Sequence, residues 1–191
     1  EAETTVASMT IFRQWSVSHG LPVQLYPDRH SIYRVNTKGA DEQANRTGKR
    51  PLTQFGRAMS QLDVKLTCAK SPQAKGRVER MNATLQDRLV KALRVDGIDT
   101  IEDANRYLMQ TFLPSLNARF TVEAAGGGDV HQAVCESELD GALCIEEHRT
   151  VGRDHCVSWR GQVLQLQPRQ RLASLSGKRV TLRQSLKGVV S

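Results

Sequence analysis

The sequence predicts an α/β protein with a helical extension, followed by a small, basic C-terminal β-barrel. Three observations carry this expectation: a helix-like stretch feeding a short strand near the start, one long amphipathic helix in the middle, and a succession of short strands at the end. Over residues 2–19, Ile11, Phe12, Trp15 and His19 recur at helical spacing on one face. Gly20 stands where a left-handed cap closes a helix, and Pro22 prevents continuation. Val23–Tyr26 has strand propensity, and Pro27-Asp28 breaks it. A helix feeding a short strand that ends in a carboxylate is an α/β fragment. Residues 34–52 are polar, basic and poor in large apolar groups, and read as a long exposed loop or flap, poorly ordered without a partner. Residues 53–61 suit a short helix, and Asp63–Cys68 alternates as a strand.

Lys75–Arg94 is the strongest helix. At 100° steps Val78, Met81, Leu85, Leu89 and Leu93 gather on one side, expected to be buried. Arg77, Arg80, Arg88 and Lys91 gather on the other, and Glu79 lies at the edge of the apolar stripe. Thr100 reads as an N-cap for a helix to about Arg119, with Ala104, Leu108, Phe112 and Leu116 as its apolar row. Ala124–Gly128 is a linker pattern, and residues 129–147 are net negative. From His148 the pattern turns to short strands with Gly152-Arg153-Asp154 and Arg160-Gly161 at turns, the signature of a small barrel. After Asp154 there is no Asp or Glu, whereas Arg160, Arg169, Arg171, Lys178, Arg179, Arg183 and Lys187 follow. The expected divisions are residues 1–120, a linker and acidic segment at 121–147, and the basic barrel at 148–191.

Composition narrows the function. The 191 residues are 39% hydrophobic and 25% charged, a globular balance. No apolar run approaches the roughly 18 residues of a membrane span, and no secretory pattern opens the chain. Four cysteines at irregular spacing do not make a secreted disulfide scaffold. The reading is a soluble, reduced, cytoplasmic protein without a membrane partner. Its +7 charge favours a polyanionic partner without naming it. The chain begins at Glu1 and already reads as helix, as a piece of a longer protein does.

Two carboxylates stand out by position: Asp28 after a strand and Glu79 at a helix start. Such a pair can converge, and carboxylates are the ligands that Mg²⁺ or Mn²⁺ prefers. His131-x₃-Cys135 and Cys144-x₃-His148 have spacings a zinc site uses, yet the segment is irregular and lacks a companion CxxC, so these read as ordinary packing residues. Trp15 and Trp159 read as core, and His30 as a turn cap or a neighbour of Asp28.

Ser71–Asn82, SPQAKGRVERMN, strongly resembles the segment around the last acidic residue of the DDE integrases and transposases. Leu25-Tyr26-Pro27-Asp28 resembles the strand carrying that family's second Asp, and the two matches occur in the family's order. EDANRYLMQTFLPSLNARF and HCVSWRGQVLQL resemble the downstream helix and small barrel of bacterial insertion-sequence transposases, those of the ISNCY group most closely. The resemblance covers most of the chain. It implies an RNase H-like catalytic core, here partial, whose three acidic residues hold two Mg²⁺ or Mn²⁺ ions while water and then a DNA 3′-hydroxyl attacks a phosphodiester. It makes Asp28 the second acid and Glu79 the third, both metal ligands. It places Lys75 and Arg77 near the DNA backbone, and beside Glu79 the exposed Arg80, Arg88 and Lys91 read as phosphate contacts. The implied partners are transposon ends, target DNA and, in the intact parent, further copies of the chain, in a bacterial cytoplasm and on the nucleoid when bound.

The sequence departs from the pattern twice. Fifty residues separate Asp28 from Glu79, which the polar 34–52 stretch accounts for. The first acid belongs on an opening strand upstream of residues 2–19, and neither Glu1 nor Glu3 is on a strand. The expectation is a transposase fragment inactive alone. The alternative is a non-catalytic DNA-binding remnant that partners a full-length transposase. An RNA-binding module on the basic barrel is a third reading, with aromatic content of 5% leaving few stacking platforms.

Overall fold

The structure, a computed structural model, describes residues 3–69, 76–122, 126–167 and 174–191. It is a mixed helix-and-sheet protein that divides into two compact units, one formed by Glu1–Cys68 with Val130–Ser191 and the other by Ala69–Asp129.

The first unit opens with α1 (Thr5–His19), whose N-cap Thr4 accepts the backbone N–H of Ala7 through its hydroxyl at 3.1 Å. The helix buries Met9, Phe12 and Ser16, three to four residues apart. Ile11 and Trp15 lie about 100° or more off that centre, so the expected core face is rotated and Trp15 is 37% exposed against His19 and His131. Gly20, at φ +85°, ends the helix, and a Cβ there would stand 2.7 Å from the carbonyl of Gln132. That close approach lets Leu21 and Gln132 exchange backbone hydrogen bonds of 2.8 and 2.9 Å.

β1 (Gln24–Leu25) pairs in parallel with β2 (Lys65–Leu66), both shorter than the stretches that read as strand. Between them, residues 34–52 are not an open loop. They contain α2 (Lys38–Thr47), started by the Thr37 hydroxyl and closed by Gly48 in the left-handed region at φ +69°. A cap at each end and the buried Ala40 suffice to order a helix with so little apolar surface. α3 (Gln54–Gln61) follows, with Phe55, Ala58 and Met59 buried. The acidic segment adds α7 (Glu136–Ala142), and its Leu139 and Ala142 join Met9, Phe12, Leu21, Phe55, Met59 and Val64 in one core.

Beyond it run β3 (Cys144–Thr150), β4 (Cys156–Trp159), β5 (Gln162–Gln165) and β6 (Arg179–Ser185). β3 pairs with β6 and β4 with β5, both antiparallel, and Arg160-Gly161 makes the β4–β5 turn with both residues at positive φ. The expected barrel does not close among the described residues. The two ladders remain separate sheets that stack through Val151, Val157, Trp159 and Leu182, joined where Arg149 Nε donates to the Ser158 carbonyl at 3.2 Å and the Gly152 N–H to the Cys156 carbonyl at 2.8 Å, so Trp159 is core as expected. A polar seam ties this part to α3. Gln54 donates to the Glu146 carbonyl at 2.7 Å and accepts its N–H at 3.0 Å, as an added strand would. Arg57 donates to the carbonyls of Ala142 and Cys144 and pairs with the Glu146 carboxylate at 3.4 Å.

The second unit is helical. α4 (Gly76–Val95) turns at Gly97 into a helix running from Ile101 to Phe120, capped by Thr100 as expected. Its middle, Leu108–Phe112, is a π-helical turn between α5 (Ile101–Tyr107) and α6 (Leu113–Phe120). Pro114, with no N–H and a ring that crowds the preceding turn, follows directly. The α4 stripe is a correction: Val78 is 56% and Met81 43% exposed, and Leu85, Leu89 and Leu93 are half-buried. α4 touches the following helix where Arg88 lies over the Phe120 ring, and the apolar spacing specifies a face without supplying its cover.

Candidate functional site

Asp28 sits just beyond β1, half-buried, where Pro27 ends the extended chain. Its Oδ1 accepts the backbone N–H of His30 at 2.8 Å, a turn that orients the carboxylate. His30 thus contributes its backbone to Asp28, while its Nδ1 accepts the Ile32 N–H at 3.4 Å. Tyr33 packs edge-on against Phe55 and donates to Glu3 at 3.0 Å. Burial pushes its phenol up, the Glu3 hydrogen bond and the charges of Glu3 and Asp28 add to that, and Ser8 opposes it. The loop that follows Asp28 is therefore seated on the main core through Ile32 and Tyr33.

Glu79 lies in the first turn of α4 and is exposed, a position where the helix dipole favours a carboxylate. Among the described residues it takes part in no ion pair. Asp28 belongs to the first unit and Glu79 to the second. Lys75 and the side chain of Arg77 lie outside the described residues, although Arg77 itself is in α4.

The basic face of α4 divides by what each cation touches. Arg80 is exposed and donates to the Gly76 carbonyl at 3.1 Å. Arg88 lies over the Phe120 ring, 5.0 Å from its centroid. Lys91 pairs with Asp87 one turn earlier at 2.5 Å, which offsets part of its charge. From Lys70 to Arg94 there are seven Lys or Arg against two Asp or Glu.

The spacings that resembled a zinc site place their members separately. His131 stacks edge-on to Trp15, Cys135 caps α7, Cys144 is buried at the start of β3, and His148 meets the Thr181 hydroxyl at 3.0 Å. Among the described residues, no three His, Cys, Asp or Glu side chains gather in a metal-binding group. No described helix is long and apolar enough to cross a membrane. The residues that the sequence reading passed over are the cations of α2 and its flanks, which border the Asp28 loop. Thr37 and Gly48, twelve positions inclusive from cap to cap, were the signal for that helix.

Two curated proteins resemble the chain. A protein of Sinorhizobium fredii (strain NBRC 101917 / NGR234), named as a transposase, y4bF, is 40% identical over 165 residues, covering 85% of this chain and 35% of its own. The transposase for insertion sequence IS1202 of Streptococcus pneumoniae is 35% identical over 118 residues, covering 62% of this chain and 24% of its own. Both relatives are named as transposases. Their similarity supports a function related to transposition. A continuous stretch of 118 residues within 191 always includes α4, so the helix carrying Glu79 lies inside both matches. The chain spans about a third or less of the length of these relatives. No protein-family profile matches it.

Proposed function

We propose that the chain is part of a DDE transposase of the ISNCY type, contributing two of the acidic metal ligands, Asp28 and Glu79, of a partial RNase H-like core and a DNA-binding helix beside the second of them. The observation that carries the reading is the similarity to two proteins named as transposases across the segment that holds Glu79 and its basic helix.

The donor set suits Mg²⁺ or Mn²⁺: both groups are carboxylates, one oriented by the His30 amide and one exposed in a first helical turn. Two such ions, when bound, stabilise the attacking and leaving oxygens of phosphodiester cleavage and strand transfer. The protein's own contribution begins with the cations. Arg80 and Arg77, on α4 next to Glu79, draw in the DNA backbone by displacing its counterions. Arg88, held over Phe120, presents its guanidinium edge at a fixed place, and Lys91 contributes less because Asp87 shares it. The His30 amide holds the Asp28 carboxylate in one orientation, so a ligand meets a preset oxygen. With two acids of the family's three assigned here, the 191 residues alone are not expected to transfer strands. Further copies of the parent and its two DNA partners, transposon end and target, complete the assembly in this reading.

The test is binding of a fluorescent duplex DNA across a salt series. The account expects log K to fall with log salt. Arg77→Gln with Arg80→Gln should reduce that slope by about two, whereas Lys91→Gln should change it less. Salt-independent binding, or none, contradicts the reading.

A further inference from the structure

Residues 29–50 lie in the first unit. They carry Arg29, Arg34, Lys38, Arg46, Lys49 and Arg50 against Asp41 and Glu42. The structure sorts these cations into two groups. Arg50 and Arg34 turn inward to Asp41: Arg50 pairs with its carboxylate, and Arg34 approaches within 4.0 Å. The Arg50 hydrogen bond, followed by its charge and that of Arg34, holds the Asp41 carboxyl below its usual range. Arg50 also donates to the Val35 carbonyl at 2.6 Å, and the Asn36 amide donates to the Arg29 carbonyl at 2.6 Å. These bonds fold the flap back onto the residue that follows Asp28.

The second group, Arg29, Lys38, Arg46 and Lys49, is exposed and makes no ion pair among the described residues. On α2, Lys38 and Arg46 flank Glu42 at four residues on either side, on the face opposite the buried Ala40. Asp41 is exposed but paired with the part-buried Arg34 and Arg50, so the remaining surface of the flap is left net positive. A clamp that spends two arginines on one aspartate fixes the shape of the flap, and the remaining cations are held ready at low ordering cost.

We propose that this flap is a second DNA-backbone contact, in which Arg29, Lys38, Arg46 and Lys49 hold duplex phosphates beside Asp28. The inference rests on the transposase reading and deepens it, because it supplies Asp28 with its own DNA contact, separate from the α4 face beside Glu79. Charge complementarity selects the occupant: the surface is cationic, polar and without an apolar anchor, as a sequence-independent phosphate contact is.

The experiment measures duplex DNA binding by the full chain across a salt series for three variants. Lys38→Gln with Arg46→Gln and Lys49→Gln should reduce the slope of log K against log salt by roughly 2 to 3, with the thermal unfolding midpoint retained. Glu42→Gln, which cannot lose affinity by losing a contact, should tighten binding several-fold at low salt. Lys38→Arg with Lys49→Arg should keep the original slope. A slope unaltered by the glutamine variant, with Glu42→Gln also silent, overturns the flap contact. If Arg77→Gln with Arg80→Gln still flattens the slope in that case, the transposase reading survives its loss. Stronger competition by an RNA duplex of the same length than by the DNA itself would overturn the choice of DNA.

Discussion

The unit that carries Asp28 and the unit that carries Glu79 are built on opposite terms. In the first, elements far apart in sequence share one core, from Met9 and Phe12 through Phe55 and Met59 to Leu139 and Leu143. Its candidate carboxylate, Asp28, sits on a loop fixed by that core and by short polar bonds. In the second, Ala69 and Leu116 are the buried apolar residues among those described, while Val78, Met81, Val90, Ile101, Met109 and Phe120 are exposed. Its candidate carboxylate, Glu79, sits on the surface of one long helix. The contrast separates two ways of presenting a carboxylate: rigidly, by tertiary packing, or by helical geometry, which needs no core to keep Glu79, Arg80 and Arg88 in register.

Substitutions can break the comparison. Phe55→Ala removes a ring that touches both Phe12 and Tyr33 and should cost about 3–5 kcal/mol in chemical denaturation. Met81→Ala on the exposed stripe should cost less than about 1 kcal/mol. A Met81→Ala loss as large as that of Phe55→Ala would mean the stripe is covered in solution, and the contrast between the units would fall.

A smaller effect sharpens the account of the first unit. Arg13 binds Asp140 at 2.7 Å and Glu136 at 2.8 Å, joining α1 to α7. The Arg13 hydrogen bond and charge hold the Asp140 carboxyl below its usual range, against a partial burial that raises it. A depressed carboxyl pKa stabilises the fold above the unfolded value and loses that contribution as pH falls through the folded value. Arg13→Gln should therefore cost about 0.5 kcal/mol near neutrality, and the gap between variant and parent should close below about pH 4. Unfolding curves measured at pH 7 and pH 3 check this, and a constant gap would show that Arg13 acts by packing alone.

Much of this architecture was legible because it rests on local chemistry. Thr100 and Gly20 marked helix ends by their caps, residues 53–61 carried their own period, and Arg160-Gly161 named its turn. Three features were not legible, each for a physical reason. The face of α1 is set by the neighbours that cover Met9 and Ser16, so the helical spacing points Trp15 to the core although it lies at the rim, 37% exposed. The flap holds a helix because caps and an Arg50–Asp41 clamp compensate for its missing apolar surface, and a hydropathy pattern does not register a clamp. Among the described residues the terminal strands form two stacked ladders in place of a closed barrel, packed through Val157, Trp159 and Leu182. For the site, the sequence carried the two carboxylates and the α4 cations as candidates. It did not carry the division of those cations into exposed, stacked and paired, which depends on Gly76, Phe120 and Asp87.

The proposed function has its most direct test in whether Asp28 and Glu79 each bind a divalent cation. Paramagnetic broadening of backbone NMR signals by Mn²⁺ tests it on the chain itself. The proposal expects broadening at the His30 amide that Asp28→Asn reduces, and broadening in the first turn of α4 that Glu79→Gln reduces. Broadening at neither place, or broadening unchanged by these substitutions, would contradict it.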